Sequence, residues 1–142
     1  MNDSQTGREG LVWKDKYSVK VKEIDDQHKQ LFEIINSLIQ VITHTPNEGE
    51  VKTIIEKIIA YKAIHFATEE KYFHQFNFSG AQEHEARHKE FNQKVEEIQK
   101  QYEGDTVGFA FALVDFLEDW LINHLMFTDQ QYVTCFTEHG LH

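Results

Sequence analysis

The segment HEARH, His84 to His88, sets two imidazoles one helical turn apart with a glutamate between them, which is the spelling of a zinc-protease helix. Two histidines at that spacing can reach one metal ion from a single helix face. The chain carries nine histidines in 142 residues. Which of them share an inward face decides whether HEARH is a hydrolase motif or one part of a larger centre.

The elements that must position them are set off by few breakers: Pro46 in THTPNEGE, the stretch FNFSG at 76–80, and YEGD at 102–105. Between these lie four stretches of helical periodicity. The first starts with Asp25 as N-cap and carries Leu31, Phe32, Ile35, Leu38, Ile39 and Ile42 at three- and four-residue steps. The second runs from about Glu50 to Phe76 with Ile54, Ile58, Tyr61, His65, Glu69 and Tyr72 on one stripe. The third runs from about Ala81 to Tyr102 with His84, His88, Phe91, Val95 and Ile98. The fourth starts near Thr106 with Leu113, Leu117, Trp120 and His124. Four amphipathic helices with short connections predict an all-α, antiparallel up-down-up-down four-helix bundle. Residues 1–22 are expected as an extended N-terminal arm and 134–142 as a short tail of one single domain.

Projected on these helices, the histidines separate. His28 precedes Leu31 and Phe32 by three and four residues, His65 follows Tyr61 by four, His84 and His88 lead into Phe91 and Val95, and His124 follows Trp120 by four. All five face the core. His74 lies nine residues past His65, about half a revolution away, and points to solvent. His44 closes the first helix, where a partly charged imidazole suits the dipole, and His139 and His142 fall in the tail. One inward histidine is ordinarily a hydrogen-bonded core residue. Five in an apolar interior cannot all satisfy one another, because each imidazole needs a donor or an acceptor, and a metal resolves the problem.

Carboxylates join this face unequally. Glu69 follows His65 by four and shares its side of the helix; buried without a cation it would be costly, whereas beside imidazoles it can bridge metals. Asp129 follows His124 by five, roughly 140° round a regular helix, so its spacing alone assigns it to the surface. For both to reach one site the turn must widen, as in a π-type bulge, or the helix must loosen there.

Composition limits the alternatives. A net charge of −10 argues against a nucleic-acid partner, since nothing would neutralise phosphates. A single cysteine, Cys135, forms no intrachain disulfide. No apolar run reaches the length of a signal peptide or of a membrane span, and the expected location is cytoplasmic.

With these residues in order, the chain resembles the hemerythrins. The resemblance rests on His28, HFATE (His65 to Glu69), HEARH (His84 to His88) and HLMFTD (His124 to Asp129), while WKDKYSVKVKEIDDQHKQLF and WLINHLMFTDQQY are similar to the bacterial branch. It runs from about Trp13 to Tyr132. It implies two non-haem iron ions, one held by His84, His88 and His124, the other by His28 and His65, with Glu69, Asp129 and a solvent-derived oxygen bridging them. It further implies reversible binding of dioxygen at the open position of the second iron, each ferrous ion supplying one electron. Phe66, Leu125, Met126 and Phe127 are candidates for shielding that position from water. In the turn between the second and third helices, Phe78-Ser79 stands where many bacterial members have Tyr-Pro, a departure that touches no ligand.

The resemblance points to a non-enzymatic protein for intracellular oxygen storage or delivery to an oxygen-consuming client. The alternatives are oxygen or redox sensing through a separate partner, and di-iron peroxidase or oxidase activity. A zinc protease of the extended motif would need glycine at position 91 and histidine at 94, where the chain has Phe91 and Lys94; Glu85 is then expected to face solvent. A ferritin-like oxidase wants two Glu-x-x-His pairs, and Glu85-x-x-His88 is the sole such pair here.

Overall fold

A computed structural model describes residues 10–44 and 46–142; the beginning of the expected arm, and Thr45, lie outside the described residues. Four helices form an antiparallel bundle: α1 (Lys22–Thr43), α2 (Glu48–Gln75), α3 (Ala81–Gln101) and α4 (Thr106–Asn123). α1 buries the whole stripe that its periodicity predicts, whereas Tyr61 and Tyr72 of α2, Val95 of α3 and Trp120 of α4 stay half-buried, with Phe66 and Phe73 filling the inner face of α2. On α1 the buried residues are Ile24, His28, Leu31, Phe32, Ile35, Leu38, Ile39 and Ile42. Asn47 caps α2 by accepting from the Glu50 amide at 3.0 Å, and Asp105 caps α4 by accepting from Gly108 at 2.9 Å. Among the described residues no helix is long and apolar enough to cross a membrane.

The start of α1 departs from expectation. The helix begins three residues before Asp25, after Val21, and no side chain caps it. Asp25 instead reaches back, accepting from the Val19 amide at 2.9 Å and from Ser18 Oγ at 2.6 Å. Those bonds tie the end of the arm to the first turn of α1, and Tyr17, Val19 and Val21 are buried there.

The tight turn between α2 and α3 closes through Phe78, whose amide donates to the Phe73 carbonyl at 2.9 Å. Its ring packs 5.2 Å from Phe73. A Cβ at Gly80 would fall 2.7 Å from the Phe78 ring, which would have to shift to admit it.

Beyond α4 the chain does not relax into a tail. It passes through a π-helical turn (His124–Thr128) and a 3₁₀ turn (Asp129–Tyr132) into α5 (Val133–Glu138). Phe136 of α5 is fully buried, stacked 4.3 Å from Tyr132. The expected tail is therefore partly core.

Two apolar clusters result. The larger runs along the bundle from Ile42 and Ile55 to Leu121 and Leu125. The smaller, built from Val19, Val21, Ile24, Phe73, Tyr132 and Phe136, closes the other end. Seven buried polar residues complete the described interior; His88 stacks on Phe66 of the larger cluster, and His84 packs against Phe73 and Tyr132 of the smaller.

Candidate metal centre

Those seven are His28, His65, Glu69, His84, His88, His124 and Asp129, none more than 5% exposed. α1 supplies His28; α2 supplies His65 and Glu69, one turn apart; α3 supplies His84 and His88, one turn apart. His124 and Asp129 frame the π-turn, where the Asp129 amide donates to the His124 carbonyl. That five-residue bond widens the turn, bringing to the inside a carboxylate that regular spacing sends outside.

The side chains form two groups sharing a carboxylate. Glu69, His84, His88 and His124 offer donor atoms within 4.8 Å of one another, as do His28, His65, Glu69 and Asp129. The carboxylates are oriented between them. Glu69 turns Oε1 toward His88 Nε2 (3.1 Å) and His84 Nε2 (3.7 Å), and Oε2 toward His65 Nε2 (3.6 Å). Asp129 turns Oδ1 toward His124 (2.9 Å) and His84 (3.1 Å), and Oδ2 toward His28 (3.2 Å). Each carboxylate thus gives one oxygen to the three-histidine side and the other to the two-histidine side.

Nitrogen and oxygen atoms so buried require partners. Yet both ring nitrogens of His28, His84 Nδ1, His88 Nε2, Glu69 Oε1 and both Asp129 oxygens have no hydrogen-bond partner. The imidazoles and carboxylates face one another at 2.9–3.7 Å, contacts that reduce the cost of burial without satisfying these atoms as hydrogen bonds would. Two cations fit this donor set: neutral imidazoles and two carboxylates, with room for both ions to share the acidic pair.

Supporting contacts hold the rings. His65 Nδ1 lies 2.8 Å from Gln27 Oε1, and the Gln27 amide nitrogen donates to Thr68. His88 Nδ1 lies 2.8 Å from Glu70 Oε2. Such bonds fix which ring nitrogen faces the metal. Tyr132, fully buried, donates its hydroxyl to Glu69 Oε2 at 2.6 Å. His88 stacks on Phe66 at 3.7 Å and His124 on Trp120 at 4.2 Å.

Protonation follows the same layout. Burial drives the His65 pKa down to about 3, keeping that ring neutral. Burial opposes charge on His84 too, but the Asp129 and Glu69 oxygens outweigh it and lift the pKa to about 9. Burial and Asp129 press Glu69 toward its neutral form; His65, His84 and His88 prevail, leaving it below the usual carboxylate range. Asp129 is held well below by His124, His28 and His84 against the effect of burial. Burial, with Asp129 and Glu69 nearby, pushes the Tyr132 phenol well above its ordinary value.

The remaining expectations divide. His44, His74, His139 and His142 are all exposed. Glu85 stays away from the centre but does not simply face solvent: it is half-buried and pairs with His74 of α2 at 2.8 Å. A narrow apolar cavity of about 20 Å³ adjoins His28, His65 and His124. Of the four expected shielding residues only Phe66 lines it; Phe127 is 65% exposed and Leu125 packs in the core. Leu31, Ile35, Ile58 and Leu121 line it instead. Each sits three or seven residues from a histidine on its own helix, a spacing that marks them in the sequence.

An antiparallel bundle whose interior carries a histidine-rich, doubly bridged pocket defines a dinuclear metalloprotein of the four-helix class. The hemerythrin HHE cation-binding domain matches residues 19–136, and the chain belongs to the hemerythrin family. It is similar to bacteriohemerythrins of Clostridium acetobutylicum, 27% identical over 87% of this chain and 98% of that one, and of Pseudomonas aeruginosa, 31% identical over 87% and 79%. Myohemerythrin of Riftia pachyptila is 29% identical over 85% and 89%. A crystal structure of wild-type hemerythrin superposes with a TM-score of 0.80 at 26% identity, over 88% of this chain and 96% of that one. The chain is therefore a hemerythrin-type metal- and oxygen-binding protein, of the bacterial branch, whose cofactor is a pair of non-haem irons.

Proposed function

We propose that the protein binds dioxygen reversibly, without turning it over, and stores it in the cytoplasm or hands it to an oxygen-consuming client. In this reading His84, His88 and His124 hold one iron, His28 and His65 hold the other, and Glu69 and Asp129 bridge. The observation that carries it is the division of each carboxylate's two oxygens between two unequal sets of imidazoles, with an apolar cavity bordered by both rings of the smaller set and by His124.

When bound, the iron pair supplies two electrons to dioxygen and takes them back on release. The chain's own residues make that reversal feasible. The two carboxylates would cancel part of the iron pair's charge and a solvent-derived bridge more of it, while the neutral imidazoles add none, which lowers the cost of holding the pair in a dry interior. Leu31, Ile35 and Phe66 exclude water from the cavity and so disfavour escape of a charged, reduced oxygen species. Tyr132 steadies Glu69 through a single hydrogen bond and, with its pKa raised, keeps its proton.

The test is anaerobic reduction followed by exposure to air, with iron and zinc counted on the same sample. Two irons per chain, a colourless reduced form and a visible charge-transfer band that comes with oxygen and goes under vacuum are expected. Irons that oxidise without reversal would favour the oxidase or peroxidase reading, and a single zinc without an oxygen-dependent band would restore HEARH as a hydrolase motif.

A further inference from the structure

The centre is enclosed, so a ligand needs a way in. The inner cavity beside His28, His65 and His124, about 20 Å³, has room for about one small molecule, since a water needs roughly 10–15 Å³ by the same measure. Outside it, between α2 and α3, lies an open groove of about 250 Å³ walled by Ile59, Val95 and Leu113. Three side chains border both spaces: Ile58, Phe91 and Lys62.

These three differ in what moving them would require. Ile58 and Phe91 are buried at 2% and 4% exposure, and displacing either opens the core. Lys62 is half-buried and unbranched. Its Nζ lies 5.7 Å from the ring centres of Phe66 and of Phe91. A single hydrogen bond, to Asn92 Oδ1 at 2.7 Å, holds it across the gap from α2 to α3. Asn92 is exposed, so water can replace that bond. Burial lowers the ammonium pKa, which marks the partly desolvated position it occupies.

We propose that Lys62 is the gate between the groove and the metal cavity and a determinant of which ligands enter. Latched to Asn92 it separates the two spaces; swung toward solvent it joins them, on the fast timescale of a surface side chain. Its positive charge at the constriction lets neutral diatomic molecules pass, draws in small monoanions and turns back cations. A gate alters the rates of entry and exit together and leaves equilibrium affinity unchanged.

This inference rests on the oxygen-binding reading, and the experiment separates the two. Iron-loaded full-length protein and the variants Asn92→Ala and Lys62→Met are compared for dioxygen association and release by rapid mixing, and for azide binding to the oxidised form. Asn92→Ala, which removes the latch at an exposed position, is expected to raise both dioxygen rates about three- to tenfold with the affinity constant, as losing a hydrogen bond to a charged group would allow. Lys62→Met keeps the stem and loses the charge; azide association should slow about tenfold relative to dioxygen association. Unchanged rates in both variants would overturn the gate, as would a change confined to release, which would place Lys62 against the bound ligand. If the parent protein binds no dioxygen, the functional reading fails, while the azide rates still decide for or against the gate.

Discussion

The two halves of the centre share their carboxylates and almost nothing else. The three-histidine half is braced: His84 packs against Phe73 and Tyr132, His88 lies on Phe66 and is held by Glu70, and His124 lies on Trp120. In the two-histidine half, His28 and His65 meet edge to face at 4.3 Å and both border the cavity. His124 borders the same space, so the contrast is one of degree: both rings of the two-histidine half face the apolar cavity, and one of the three rings of the other half does.

The strongest way to break this contrast is to remove what the halves share. Glu69→Ala is expected to empty both, taking iron from two per chain to nearly none while circular dichroism still reports helix; His124→Ala should strip the three-histidine half preferentially. Iron remaining at two per chain in either variant would refute the ligand assignment. A gentler cut is Tyr132→Phe, which leaves Glu69 in place and removes its hydroxyl partner. Iron affinity should fall roughly 10–100-fold, the usual cost of losing such a supporting bond, with competitive chelation as the readout.

Proton occupancy sharpens the contrast in the metal-free protein. His65, with its folded pKa lowered to about 3, favours the unfolded state at acid pH, so stability should rise as pH climbs toward 6.5; the depressed carboxyls of Glu69 and Asp129 act in the same direction. His84, raised to about 9, contributes stability fully present below its unfolded value of 6.5 and lost as pH rises through 9. The loss is on the order of 3 kcal/mol. Urea titrations of metal-free protein should peak near pH 6.5, and iron, which takes the place of the proton on His84, should abolish the alkaline decline. The smallest effect is expected from Glu85→Gln, which weakens only the pair between half-buried Glu85 and exposed His74: stability should shift by less than about 1 kcal/mol and the oxygen adduct should persist.

Most of this arrangement is legible in the sequence because helical periodicity carries it. The inward facing of five histidines and Glu69 follows from their steps to Phe91, Val95, Ile58 and Trp120. Asp129 escapes, since a π-turn has no signature in spacing, and only the resemblance to hemerythrins supplied it. Three other departures share one cause, contacts between elements. Asp25 serves the arm rather than capping α1; Glu85 finds His74 on another helix; and α5, at six residues, is too short to register as periodic although Phe136 fills the end of the bundle.

The π-turn has a consequence for how this chain can change length. In α2 a histidine and a carboxylate four residues apart serve the same centre, His65 and Glu69, on a regular helix. His124 and Asp129 do so at five. The turn is thus equivalent to one residue inserted between α4 and the 3₁₀ turn that follows it, and exposed Phe127 lies inside it. Deleting that residue would restore the four-residue interval and carry Tyr132 and Phe136 along by the same step, so this is one place in the bundle where an indel and a metal ligand can coexist.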